Sequence, residues 1–217
     1  MQHPPREPVN GWIHGGGAVL AAIGLAALVV QAARGDSVRH LVAAATFGLT
    51  AILMFTASAI YHLRPHSMRA LAYQRLDHAA IYLFIAGTYT PVCLVALWPL
   101  TAGRLLLVVV WVLASLGVLL ELLARRPRRG VATAIYLGLG WAGVLAAPAV
   151  AGIVRPALVA WLLVGGVFYS AGAWLYWRQW PRGWPGRFGF HELWHACVLA
   201  ASASHFWAIH RYVLTLP

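Results

Sequence analysis

The chain predicts an all-α, polytopic membrane protein, a bundle of seven transmembrane helices, and three observations predict it. Of its 217 residues 61% are hydrophobic and only 10% are charged, against roughly 25% charged residues in an average soluble domain. The apolar residues run in seven stretches, 11–32, 40–63, 76–98, 103–124, 131–151, 156–177 and 191–214, each close to the ~20 residues that cross a ~30 Å hydrocarbon core. The connections are short, most under about 12 residues, so consecutive helices are expected to be antiparallel neighbours in one domain covering 1–217. Little chain remains for an extramembrane domain.

Each stretch carries its own boundaries. The first resembles a signal peptide at Val30-Gln31-Ala32, but its leader has only Arg6 set against Glu7 and the apolar run is longer than a signal core of ~7–15 residues, so it is expected to stay as a span. Pro65 stops the second. Pro99 and Gly103 bracket the connection to the fourth, the run Arg125-Arg126-Pro127-Arg128-Arg129-Gly130 ends the fourth, and Pro156 opens the sixth. Glycines 15, 16, 17, 138, 140, 143, 165, 166 and 172 read as close-packing points between helices. The segment from Trp174 to Phe190, rich in Trp, Arg, Pro and Gly, reads as an interfacial aromatic belt. Cys93 and Cys197 fall inside spans and read as small packing residues, not as a disulfide framework.

A net charge of +11 and a pI near 10.8 suggest nucleic acid at first sight. The distribution of the charge excludes it. With the N-terminus in the cytoplasm, eleven arginines lie inside (6, 64, 69, 75, 125, 126, 128, 129, 178, 182, 187) and five outside (34, 39, 104, 155, 211). The positive-inside rule therefore puts the N-terminus in the cytoplasm and the C-terminus outside, in a multi-pass protein of the plasma membrane.

Polar side chains within spans are costly and mark functional candidates. Asn10 and His14 sit near the start of the first span, Ser58 and His62 at the end of the second, Asp77 and His78 at the start of the third, and His191, Glu192 and His195 at the start of the seventh. All fall in the cytoplasmic leaflet. His191-Glu192-Leu193-Trp194-His195 matches H-E-x-x-H, in which two histidines one helical turn apart share a face and can hold one metal ion. Ser58 is four residues before His62, on its face and about 6 Å deeper. His66 follows Pro65 and belongs to a loop. Asp77 has Ile81, not a base, four residues on, which leaves a cation, a metal's water or a helix N-terminus as its partner. Glu121 has Arg125 at that spacing and reads as an intrahelical ion pair. His205 shares the face of His191 but lies about 20 Å further along the helix, and reads as a buried, hydrogen-bonded histidine.

The segments SAIYH, LDHAAIYLFIAGTYTPV and HELWHACVLAASASHF, with NGWIHGGGAVLAAIGL in the first span, resemble the hemolysin III family. This is the bacterial branch of the progestin and adipoQ receptor superfamily, which includes the adiponectin receptors. The resemblance covers nearly the whole chain. It implies seven helices, a cytoplasmic N-terminus and an intramembrane zinc ion, with His62, His191 and His195 as ligands, Asp77 beside the metal's water and Ser58 behind it. That pattern requires no glutamate between the two histidines, so Glu192 is expected to serve the cavity at most. A site-2-type intramembrane protease would place its aspartate after H-E-x-x-H, whereas Asp77 precedes it.

Three histidines with one position left open are the composition of a catalytic zinc site. Asp77 is then placed to take a proton from water and return it to a leaving amine. The depth of the site selects a lipid amide or ester, and ceramidases occur among relatives of the superfamily, an analogy of fold and site. The alternatives are a structural zinc clamp in a receptor or sensor, and a cytolytic membrane protein. The scarcity of extramembrane chain argues against a large protein ligand. From the arginine asymmetry, a reporter fused after Pro217 should lie outside the cytoplasm and one inserted at Arg125–Gly130 inside it. The reverse pattern would put the histidines in the outer leaflet.

Overall fold

The computed structural model describes residues 8–35, 37–64, 68–123, 129–146, 148, 152–183 and 188–216. Seven helices form among them: α1 (Pro8–Ala32), α2 (Val38–Leu63), α3 (Ala70–Pro91), α4 (Thr101–Leu123), α5 (Arg129–Trp141), α6 (Pro156–Arg178) and α7 (Phe190–Ala208). α3 and α7 each end in one π-helical turn, Val92–Ala96 and Ile209–Val213, and α5 tightens into a 3₁₀ turn at Ala142–Ala146. No strand runs between them among the described residues, and the chain is an all-α, multi-pass membrane protein.

Helix boundaries follow from local chemistry. Pro156 occupies the first turn of α6, where a missing N–H costs nothing. Pro91 closes α3 and, having no N–H to give, is followed by the π turn. α7 begins where the Glu192 carboxylate accepts the Gly189 N–H at 2.8 Å.

Five helices, α1 to α4 and α6, are long and apolar enough to cross a membrane, with α3 counted through Ala96. The other two expected stretches also hold helices but fall outside that set of five. Among the described residues the apolar helix of the fifth stretch covers Val131–Ala146, and the end expected at 151 lies outside them. α7 is long enough, but His191, Glu192, His195, Ser202, Ser204 and His205 dilute its apolar character.

The main core is built around α2. Phe47, Ala51, Met54 and Phe55 pack with Leu28 of α1, Ala80 and Phe84 of α3, and Val198 of α7. A second cluster joins Tyr82 and Ala86 of α3 to Val110 and Ala114 of α4 and Leu139 of α5, and a third joins Leu158 of α6 to Ala208 and Val213 beyond the middle of α7. The outward faces remain apolar, with Val19, Leu20, Ile23, Leu105, Val108, Leu120 and Val167 all exposed as lipid-facing side chains. Trp174, Trp177 and Trp180 are exposed where the aromatic belt was expected. At the end of the bundle remote from the histidine motif, Gln31 donates to the His210 carbonyl and His40 to the Leu216 carbonyl, tying α1 and α2 to the tail of the chain.

The glycine expectation divides. Gly17, Gly143, Gly165, Gly166 and Gly172 lie against side chains of neighbouring helices, whereas nothing stands within 4 Å of a Cβ placed on Gly15, Gly16, Gly138 or Gly140. At Gly165 a Cβ would run into the His205 ring and press on the Ala201 carbonyl, so the missing side chain is what lets α6 reach α7. Gly165→Leu should therefore lower the melting temperature in detergent by several degrees, equivalent to roughly 1–3 kcal/mol of overpacking. Gly138→Leu, in open space, should leave it unchanged; equal effects at the two positions would remove the packing argument.

Candidate metal centre

The starts of α1, α3 and α7 and the end of α2 lie at one end of the bundle. With α7 started by the Glu192 cap, His191 falls in its first turn and His195 one turn deeper, on one face. Their ring centroids are 4.9 Å apart. His62, in the last turn of α2, sits 5.1 Å from the His191 ring and 4.8 Å from that of His195, closing a nearly equilateral triangle. One ligand atom from each of the three lies within 4.8 Å of the others. His62 and His195 are buried and His191 is partly so.

The donor set fits a metal ion. A tetrahedral zinc bound at 2.0–2.1 Å separates its ligand nitrogens by about 3.3 Å, so the triangle needs to contract only by side-chain rotation. The surroundings of His195 fit as well. Its Nδ1 lies 2.9 Å from a ring nitrogen of His14, which leaves Nε2 for the triangle. A ligand histidine ordinarily gives its other N–H to a fixed acceptor, which sets tautomer and ring orientation. His14 is in that place, buried, with Phe55 edge-on at 5.0 Å behind it.

Asp77 and Ser58 complete the wall. Both are buried, the Ser58 hydroxyl hydrogen-bonds the Asp77 carboxylate, and His62 and His191 are close enough to feel its charge. His14, Ser58, His62, Asp77, His191 and His195 all face one cavity of about 400 Å³. Its far side is apolar, with Ile81, Phe84 and Ile85 of α3, Leu137 of α5 and Val198 of α7. This volume lies within the 300–1,000 Å³ range of small-molecule sites. Asp77 is the one carboxylate on the lining among the described residues.

Several expectations change. Glu192, expected at the cavity, is not on its wall; its carboxylate is spent on the Gly189 N–H because it sits at the third position of a helix, where a carboxylate closes a capping box. Asn10 is fully buried one turn before His14 and does not line the cavity. Glu121 pairs with His78, Nδ1 to Oε1 at 2.8 Å; the expected partner Arg125 lies outside the described residues, as does His66. His205 is hydrogen-bonded as expected, to the Leu162 carbonyl at 3.2 Å, and is half-buried. Both cysteines are free. Tyr136, Tyr176 and Trp194 also line the cavity. No sequence signal distinguished these aromatic residues from lipid-facing ones.

Known proteins are similar to this chain. A family model described as Haemolysin-III related matches residues 2–206. The chain is 32% identical over 212 residues to the hemolysin-3 homolog of Bacillus subtilis (strain 168), a match covering 97% of this chain and 96% of that protein. It is 33% identical over 215 residues to hemolysin-3 of Bacillus cereus, across 98% and 94% of the two. Agreement of this extent, from the first helix through the histidine motif of the last, places the chain in the hemolysin III family.

Proposed function

We propose that this protein is a zinc-dependent hydrolase of the membrane, cutting a lipid amide or ester in the cytoplasmic leaflet. The observation that carries the reading is that the histidine triangle opens onto a cavity. Among the described residues three imidazoles converge with no fourth protein ligand grouped with them, and the space beside them holds a buried carboxylate at one wall and hydrocarbon side chains at the other. A purely structural zinc site closes its coordination with four protein groups.

A zinc ion in the triangle would supply a Lewis acid for the substrate carbonyl and bring the ionisation of water toward neutral pH. The protein supplies the rest. Asp77 takes the proton of the attacking water, with its carboxylate fixed by the Ser58 hydroxyl. His14 holds the His195 ring through Nδ1. Ile81, Phe84, Ile85 and Leu137 give an acyl chain an apolar bed and keep bulk water from the reacting carbon. A lytic role, favoured by the name of the Bacillus cereus relative, is the second reading; it predicts leakage from liposomes that a chelator does not stop.

Elemental analysis of the purified chain should find about one zinc per molecule, and His62→Ala, His191→Ala and His195→Ala should each lower metal content and melting temperature together. Lipid extracts incubated with the protein should lose an amide or ester species, and a chelator should prevent the loss. Full zinc retention in all three variants would end the metal assignment, and loss of lipid unaffected by the chelator would end the zinc-dependent one.

Asp77→Asn separates hydrolase from clamp. Asparagine keeps the size and much of the hydrogen bonding but takes no proton, so zinc and melting temperature should stay near normal while hydrolysis falls by roughly 10²–10⁴-fold. Loss of zinc with early unfolding would instead make Asp77 a fourth ligand in a closed, structural site.

A further inference from the structure

Hydrolysis needs a second proton transfer, to the departing nitrogen or oxygen, and the cavity holds a group built for it. His78 follows Asp77 on α3 and lines the same cavity. Its Nδ1 lies 2.8 Å from Oε1 of Glu121, a buried carboxylate in the last turn of α4 with no other ion pair among the described residues. Tyr136 of α5 donates its hydroxyl to the His78 carbonyl at 3.2 Å, fixing the backbone that carries the ring. Among the described residues the other titratable groups facing this pair are Asp77 and the phenols of Tyr82 and Tyr136, whose rings meet edge-on at 4.7 Å. Among the described residues no protein hydrogen bond uses Nε2 of His78. A histidine held by a carboxylate through one nitrogen, with the other turned to a cavity, is the arrangement that stabilises an imidazolium and directs its remaining proton.

We propose that His78, held by Glu121, is the proton donor to the leaving group, an inference that rests on the hydrolase reading above. The balance closes with water as the only co-reactant. One proton of water goes to Asp77 and the water oxygen bonds the acyl carbon. The C–N or C–O bond breaks with its electron pair on the departing atom, which takes the proton from Nε2 of His78. Passage of the Asp77 proton to its chain neighbour His78 restores both groups. Glu121 never changes protonation; it positions the ring and offsets its charge. This pair is not a simple α3–α4 clamp if the chemistry depends on what leaves.

The test varies the leaving group on the zinc-loaded, full-length chain. An N-acyl sphingosine needs its amine protonated to depart, whereas the p-nitrophenyl ester of the same fatty acid releases an anion that does not. His78→Gln should lower kcat/KM for the amide by about 10²–10⁴-fold and for the activated ester by less than about threefold. Glu121→Gln should repeat the pattern at about 10–100-fold for the amide, with zinc content unchanged in both. In ¹⁵N-histidine NMR of metal-free protein, the resonance of one protonated Nδ1 should move in Glu121→Gln. That variant carries the test should His78→Gln not fold. Equal losses with both substrates, an undiminished amide rate, or an unmoved Nδ1 signal would overturn the donor assignment and leave the hydrolase reading standing. A wild-type chain inert toward both substrates would sink the hydrolase reading itself and this inference with it.

Discussion

Hydrocarbon offers no hydrogen-bond partner, so a polar side chain inside a span must find one in the protein or make the span unstable. That constraint arranges this molecule. Asn10, His14, Ser58, His62, Asp77, Glu121 and His195 are all buried among helices whose outer faces are Val, Leu and Ile. Most of them answer one another at one end of the bundle: His14 to His195, Ser58 to Asp77, Glu121 to His78. These pairs join α1 to α7, α2 to α3 and α3 to α4. Polar pairing therefore acts as a set of registers, because sliding α7 past α1 by one turn would separate His195 from His14 and put an unpaired imidazole in the core.

The cavity lies where that packing loosens. α5 contributes one side chain to the second core cluster, Leu139, and reaches its neighbours mainly through tyrosine contacts: Tyr89 to the carbonyls of Leu139 and Gly140, and Tyr136 to that of His78. The histidine triangle is built on α2 and α7, and most of the apolar wall on α3 and α5.

The sequence carried the fold class, the helix order and the triangle because each depends on local spacing. Seven apolar stretches read directly as helices, and His191 and His195 share a face by their four-residue separation alone. His62 could be added only through depth, since it had to fall at the same level as the pair, which it does. What escaped was set by neighbours in space. The four-residue spacing of Glu121 to Arg125 is visible in the chain, whereas its bond to His78, 43 residues earlier, arises from the packing of α3 on α4. Glu192 was placed at the cavity because the motif around it suggested a chemical role, but the exact start of α7 makes it a cap. Gly15 and Gly165 looked alike in the chain, and only the crossing of α6 with α7 distinguishes them.

The acidic residues bring these threads together. The chain has five, against sixteen basic ones, and the three that are described each hold a separate post: Glu192 on a helix start, Asp77 against Ser58 within the cavity, Glu121 on a histidine behind its wall. A buried carboxylate in a membrane bundle is costly enough that stability alone would favour an apolar replacement. Glu192 repays its cost by capping a backbone N–H. Asp77 and Glu121 do nothing comparable for the helices that carry them, since neither caps one. Asp77 belongs to, and Glu121 holds, a single dipeptide, Asp77-His78, which brings a carboxylate and a carboxylate-held imidazole to the same 400 Å³ space. Two groups of that kind, side by side and facing a metal-competent triangle, are the equipment for moving one proton in and another out.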